Sequence, residues 1–161
     1  MMNEWFECKV KYERTMDDGK VKKVNEPYLV DALSFTEAEE RISEERKHYM
    51  SGEFQVSDIK RARYAELFET DDESADRWFK VKLTFITLDE KSGKEKRSNV
   101  NYLVQAANMN GAIKNIDTVM GGTMIDYVIA NISETRIMDV YEHNAPKKQE
   151  RDDKPEYEEE K

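Results

Sequence analysis

Phe6, Cys8, Val10 and Tyr12 alternate with Trp5, Glu7, Lys9 and Lys11 near the head of the chain. A period of two in hydrophobicity marks a strand with one buried face, because successive side chains of extended backbone point to opposite sides. The pattern returns as Phe79, Val81, Leu83 and Phe85 against Trp78, Lys80, Lys82 and Thr84. Each of these segments leads to a polar tip, Asp17-Asp18-Gly19-Lys20 or Lys91-Ser92-Gly93-Lys94, and then to a short apolar strand, Tyr28-Leu29-Val30 or Tyr102-Leu103-Val104. Glycine in a polar tip between two strand patterns predicts a β-hairpin. Pro27, ahead of the first short strand, suits a strand start or an edge, where no N–H is required.

The period then changes to that of a helix. Ser34 followed by Glu37 is a capping box, in which the two side chains satisfy backbone donors left open at a helix start. Phe35, Ala38 and Ile42 form a narrow apolar stripe, with Glu39, Glu40, Glu44, Glu45 and Arg46 towards water. A second helix opens at Asn108 with a wider stripe of Met109, Ala112, Ile113, Ile116, Val119 and Met120, so it is expected to be the better buried. Gly121-Gly122 ends it. A long strand follows each helix, Phe54 to Phe68 and Tyr127 to Tyr141, with Ser57-Asp58 and Asn131 as candidate bulges.

These elements are two copies of one unit. Trp5 through Tyr12 recur 73 residues later as Trp78 through Phe85. After one inserted residue the offset is 74, so Gly19 meets Gly93, Tyr28-Leu29-Val30 meets Tyr102-Leu103-Val104, and Ala38 and Ile42 meet Ala112 and Ile116. It then returns to 73, where Phe54, Val56, Ile59, Arg63, Leu67 and Phe68 fall on Tyr127, Ile129, Ile132, Arg136, Val140 and Tyr141. The expected fold is α+β, a tandem duplication of a β-β-α-β unit with mainly antiparallel sheet. Repeat one covers 4–69 and repeat two 77–143. About 80 residues with one amphipathic helix is marginal for an independent core, so the copies are expected to pack as one pseudo-twofold domain, residues 4–143. Segment 70–76 is an acidic linker, and residues 144–161 read as a disordered charged tail with little to bury.

Charge and composition narrow the function. The chain has 161 residues and a net charge of −9, from 35 acidic and 26 basic side chains. No window approaches the roughly 18 apolar residues of a membrane span, and the start Met-Met-Asn-Glu-Trp lacks the layout of a signal peptide. A cytoplasmic protein with no membrane partner is expected. One cysteine, Cys8, and two histidines, His48 and His143, supply neither a disulfide framework nor a zinc site. Cys8 lies in phase with the buried face and its equivalent in the other copy is Val81, which predicts an inert thiol. The acid pairs Asp17-Asp18, Asp71-Asp72 and Asp152-Asp153 fall at a tip, in the linker and in the tail. No glycine-rich loop follows a strand to cradle a phosphate. An enzyme is therefore not expected, nor any catalytic residue, cofactor or metal.

Binding is better supported. Segment 5–25 carries six bases and four acids, and segment 78–105 six bases and three acids, so the negative excess sits elsewhere. Trp5 shares a strand face with Lys9 and Lys11, and Trp78 shares one with Lys80 and Lys82. An aromatic beside lysines on an exposed face can stack a base and neutralise its phosphate. A recurring tryptophan is equally explained by packing between the repeats, and outer lysines by protection of the sheet against edge pairing. Arg63 and Arg136, in the last strands, either face inward and need a carboxylate such as Glu66 or Asp139, or face outward as one anion-binding spot.

Residues 5–12, 26–39 (Glu-Pro-Tyr-Leu-Val-Asp-Ala-Leu-Ser-Phe-Thr-Glu-Ala-Glu), 58–66 (Asp-Ile-Lys-Arg-Ala-Arg-Tyr-Ala-Glu) and 78–93 (Trp-Phe-Lys-Val-Lys-Leu-Thr-Phe-Ile-Thr-Leu-Asp-Glu-Lys-Ser-Gly) carry a family resemblance. The chain resembles, up to about Tyr141, the family catalogued as domain of unknown function 4494, found in Bacteroides-type bacteria and in their phages and mobile elements. The resemblance brings no activity, ligand or site. It implies a setting in which a small protein without catalytic equipment is a nucleic-acid-associated accessory, a regulator or an inhibitor of a host system rather than a metabolic enzyme. The first expectation is thus a non-catalytic binding or interaction protein acting on a protein partner through its sheet surface. The second is a single-stranded nucleic-acid binder using Trp5, Lys9, Lys11, Lys20, Lys22 and Lys23 with Trp78, Lys80, Lys82, Lys94, Lys96 and Arg97. Exposed strand edges would also make a homodimer easy.

Overall fold

The structure, a computed structural model, describes residues 4–50 and 52–142. His143 and the expected tail, 144–161, lie outside the described residues. The protein is α+β, with strands β1 (Glu4–Thr15), β2 (Val21–Ala32), β3 (Phe54–Ala62), β4 (Glu66–Phe68), β5 (Arg77–Leu88), β6 (Glu95–Ala106), β7 (Asp126–Glu134) and β8 (Val140–Tyr141). Helix α1 (Phe35–Lys47) follows β2, and α2 (Met109–Met120) follows β6. The strands form two four-stranded sheets, β3-β1-β2-β8 and β4-β6-β5-β7.

The duplication is visible in the pairing. β1 and β2 are antiparallel from Glu4↔Ala32 to Thr15↔Val21, and β5 and β6 repeat that register from Arg77↔Ala106 to Leu88↔Glu95. Each tip turns on a glycine of positive φ, Gly19 at 83° and Gly93 at 71°. A side chain there would be forced into the left-handed region that glycine alone enters without a Cβ clash. Asp18 and Asp89 tighten the tips by accepting from the N–H of Lys20 and Lys91, each at 3.0 Å.

The second strands are longer than their Tyr-Leu-Val cores suggest, and Pro27 is internal to β2, opposite Lys9. The Leu29 N–H donates to Asp139 O at 3.0 Å, towards β8. Side-to-side alternation directs the nitrogen of Pro27 the same way, but β8 pairs only Leu29 and Val30. The missing N–H thus falls where β2 has no neighbour.

The last strand of each repeat is not continuous. Its first part, β3 or β7, lies beside the hairpin of its own repeat, while the remainder crosses to the other sheet. β4, from repeat one, pairs in parallel with β6, and β8, from repeat two, pairs in parallel with β2. Two compact units result, residues 4–60 with 139–142, and residues 61–138. Their limits differ from those of the repeats because the short strands are exchanged.

In the first unit Phe6, Cys8, Val10, Tyr28, Val30 and Ala32 pack under Ala38 and Ile42 of α1, with Tyr141. In the second, Phe79, Val81, Leu83, Tyr102, Val104 and Ala106 pack under Ala112, Ile116 and Met120 of α2. Met109 and Val119, expected in the buried stripe, are exposed. Ser34 caps α1 by accepting from Glu37 N at 3.1 Å, while Glu37 Oε1 accepts from the N–H of Leu33, one residue before the cap. Asn108 caps α2, accepting from Gly111 N at 2.7 Å. Each helix also ties back to the preceding strand at an equivalent carbonyl. Arg41 donates to the carbonyl and carboxylate of Asp31, and Asn115 Nδ2 donates to Gln105 O at 3.0 Å.

Candidate interaction surface

One face of each sheet is covered by its helix, so the positions between the core residues define the opposite face. On β5 these are Trp78, Lys80, Lys82 and Thr84, and on β6 Asn101, Leu103 and Gln105. The register sets two rows across the second sheet. Ser133, Lys80 and Leu103 form one, and Asn131, Lys82 and Asn101 the next. A bulge in β7 makes the second row possible. The register shifts between Lys82 and Leu83, so that Ala130 is the extra residue and Lys82 faces Asn131 while Leu83 faces Ile129. Ile129 and Ile132 both reach the core, and Asn131 is aimed outward beside Lys82.

Lys80, Lys82, Asn101, Asn131 and Ser133 line a depression of about 310 Å³. Both lysines are exposed, and among the described residues no carboxylate lies within 4.0 Å of either. The two ammonium groups only donate, the two side-chain amides and the hydroxyl both donate and accept, and the lining carries no negative charge. The equivalent positions of the first unit are Glu7, Lys9, Pro27, Asp58 and Lys60. There two acids balance two bases, and Lys60 approaches Glu7 at 3.9 Å. The duplication has produced one self-neutralised face and one that keeps its positive charge.

The residues singled out in the sequence divide between the units. Trp5, Lys9 and Lys11 belong to the first, and Trp78, Lys80, Lys82, Arg63 and Arg136 to the second. Trp5 is half-buried, whereas Trp78 is buried at 2 % exposure, so its ring offers no stacking face. Its carbonyl accepts from the N–H and hydroxyl of Thr135 at 2.8 and 2.9 Å. Arg63 and Arg136 are not inside strands. They lie in the connecting segments 63–65 and 135–139 and are exposed, and among the described residues neither pairs with Glu66 or Asp139. The inward reading of these arginines is thereby corrected: the chain leaves the sheet at these points to reach the other unit, and the guanidinium groups stay in water. Asn101 and Ser133 carry no sequence signal, and Asn131 signals only a bulge, because isolated amides and hydroxyls on strands have no periodicity and the bulge sets which of them meet.

Other polar clusters are internally occupied. Arg46 lies over the rings of Tyr28 and Tyr49, 4.5 and 5.1 Å from their centroids, and donates to Tyr141 Oη at 3.0 Å. Burial pushes the Tyr141 hydroxyl up to about 12 and raises that of Tyr28 as well. The Cys8 thiol is buried, and burial followed by the charge of Glu7 pushes it up to about 12. At neutral pH it is a protonated core side chain. A larger open groove of about 880 Å³ at the hairpin end of the first unit is lined by Lys11 and Lys23 together with Glu13 and Glu53, so its charges cancel. Among the described residues no group of three or more His, Cys, Asp or Glu could hold a metal ion, and no helix is long and apolar enough to cross a membrane.

No curated protein matches the chain. A family profile does, over residues 4–143, which takes in both repeats and every helix and strand of the described residues. On that match the protein belongs to the family described as domain of unknown function DUF4494.

Proposed function

We propose that the protein is a non-catalytic binding protein, an accessory or regulatory factor of a phage or mobile element working in the cytoplasm, which acts on a protein partner through the exposed Lys80 and Lys82 region of the helix-free sheet face of its second unit, the part of that face not buried like Trp78, Thr84 and Leu103. The observation that carries this reading is the pair Lys80 and Lys82, exposed and without a carboxylate partner among the described residues, in a depression whose duplicate has been neutralised. An uncompensated cationic site on a chain of net charge −9 favours local capture of an acidic group over general adhesion to polyanions. The family resemblance supplies the phage and mobile-element setting.

The test is co-purification by the tagged 161-residue chain from cells of its natural setting. The doubly charge-reversed variant K80E/K82E is expected to lose the partner, and K9E, in the first unit, to keep it. Retention of the same partner by K80E/K82E would refute the assignment. A second reading, single-stranded nucleic acid, uses the same lysines but lacks Trp78 as a stacking platform. It requires binding of a short single-stranded oligonucleotide that weakens steeply with salt.

A further inference from the structure

We infer that the depression on the second unit is a receptor for one phosphomonoester group. This rests on the reading of that face as the working surface and names its ligand chemistry. Lys80 and Lys82 are two residues apart on one strand, so their Cα atoms are separated by about 7 Å and both side chains leave the same face. Two ammonium groups so placed repel one another, and no described carboxylate relieves them. An anion seated between them does so. A carboxylate brings one negative charge and two oxygens. A phosphomonoester brings about −1.5 to −2 at neutral pH and three terminal oxygens. That charge balances both lysines, and the oxygens accept from Asn101, Asn131 and Ser133 around the rim.

A polynucleotide is the poorer fit. It needs a track of cations and stacking rings, whereas this depression holds two cations and the tryptophan on the same strand is buried. The first unit is the internal control. With Glu7 and Asp58 where the second has Lys80 and Asn131, it presents carboxylates to an incoming phosphate, which repel it.

Amide NMR of the full chain, titrated with O-phosphoserine, inorganic phosphate and aspartate, tests the inference. Saturable shifts are expected at residues 80, 82, 101, 131 and 133 with the two phosphates and not with aspartate. They should be lost in K80A/K82A and kept in K9A. Affinity should fall at least about fivefold from pH 7.5 to pH 5, where the phosphate becomes a monoanion. Equal shifts with aspartate, shifts scattered over both units, or an unchanged response in K80A/K82A would each overturn it. A phosphoserine peptide binding more tightly than free phosphoserine assigns the group to a protein partner, and equal binding assigns it to a free phosphomonoester; both support the site. The two proposals fail separately. Loss of the partner in K80E/K82E without any phosphate response removes the phosphomonoester and leaves the docking face, and the reverse pattern removes the protein partner and leaves the anion site.

Discussion

Arg46 and Met120 occupy equivalent turns of the two helices, 74 residues apart, and solve one packing problem with opposite chemistry. Met120 is buried and fills its place by shape. Arg46 is half-buried and lies over tyrosine rings, and its Nε is buried with no acceptor among the described residues. Arg46→Met should therefore leave stability within about 1 kcal/mol of the parent, since lost ring and hydroxyl contacts are offset by removal of an unpaired donor. Arg46→Ala should cost about 1–3 kcal/mol, because the stem's packing goes as well. Urea unfolding midpoints at a constant slope decide between these outcomes. Cys8 carries a second residue-scale prediction. From about pH 9 to about 12 the unfolded chain has lost the thiol proton while the folded chain keeps it. Stability must fall through that interval, by up to about 1.4 kcal/mol per pH unit for this group. Tyr28 and Tyr141, raised by burial, act in the same direction above pH 10. Cys8→Val, which copies Val81, should make the alkaline fall shallower, as unfolding free energies measured in steps of pH would show.

At the scale of elements, caps and tips were the most legible features, because each is a local contest between a side chain and a few backbone groups. Ser34, Asn108, Gly19 and Gly93 stand where their residue types demand. Asn108→Ala should cost about 1 kcal/mol by orphaning the Gly111 N–H. Gly19→Ala and Gly93→Ala should each cost about 1–2 kcal/mol from the positive φ. Thermal unfolding of the three variants checks this, and a Gly19→Ala protein as stable as the parent would show that the tip can adopt another turn. The β7 bulge was also foreseeable, because the inward spacing lengthens there from two residues to three, between Ile129 and Ile132. The same lengthening recurs in β3 between Val56 and Ile59. The ends of the last strands were not. Arg63 to Ala65 and Thr135 to Asp139 continue an alternating pattern, and nothing local says that the backbone leaves one sheet there for another.

At the scale of the molecule the reciprocal exchange of β4 and β8 governs integrity. Val140 and Tyr141 are buried in the first unit, and Phe68 packs on Tyr102 in the second with ring centroids 5.4 Å apart. A fully buried side chain of this size contributes about 1.5–3 kcal/mol. Cleavage at a protease site engineered into segment 70–76 should therefore leave the fragments associated, because each still supplies a strand to the other's sheet. Elution as separate species from a native sizing column would show that these short ladders do not hold them.

Periodicity, caps and self-similarity are properties of neighbours along the chain. From them the sequence alone determined the α+β class, the duplication, the core faces, the buried thiol and the outward direction of Lys80 and Lys82. Partner choice between strands is non-local, since a two- or three-residue strand has too little pattern to name the sheet it joins. Only the tertiary structure decided the exchange of β4 and β8, the burial of Trp78 and the exposure of Arg63 and Arg136. It also decided the depression itself, because Lys80, Asn101 and Ser133 come from three strands whose register, and one bulge, bring them together.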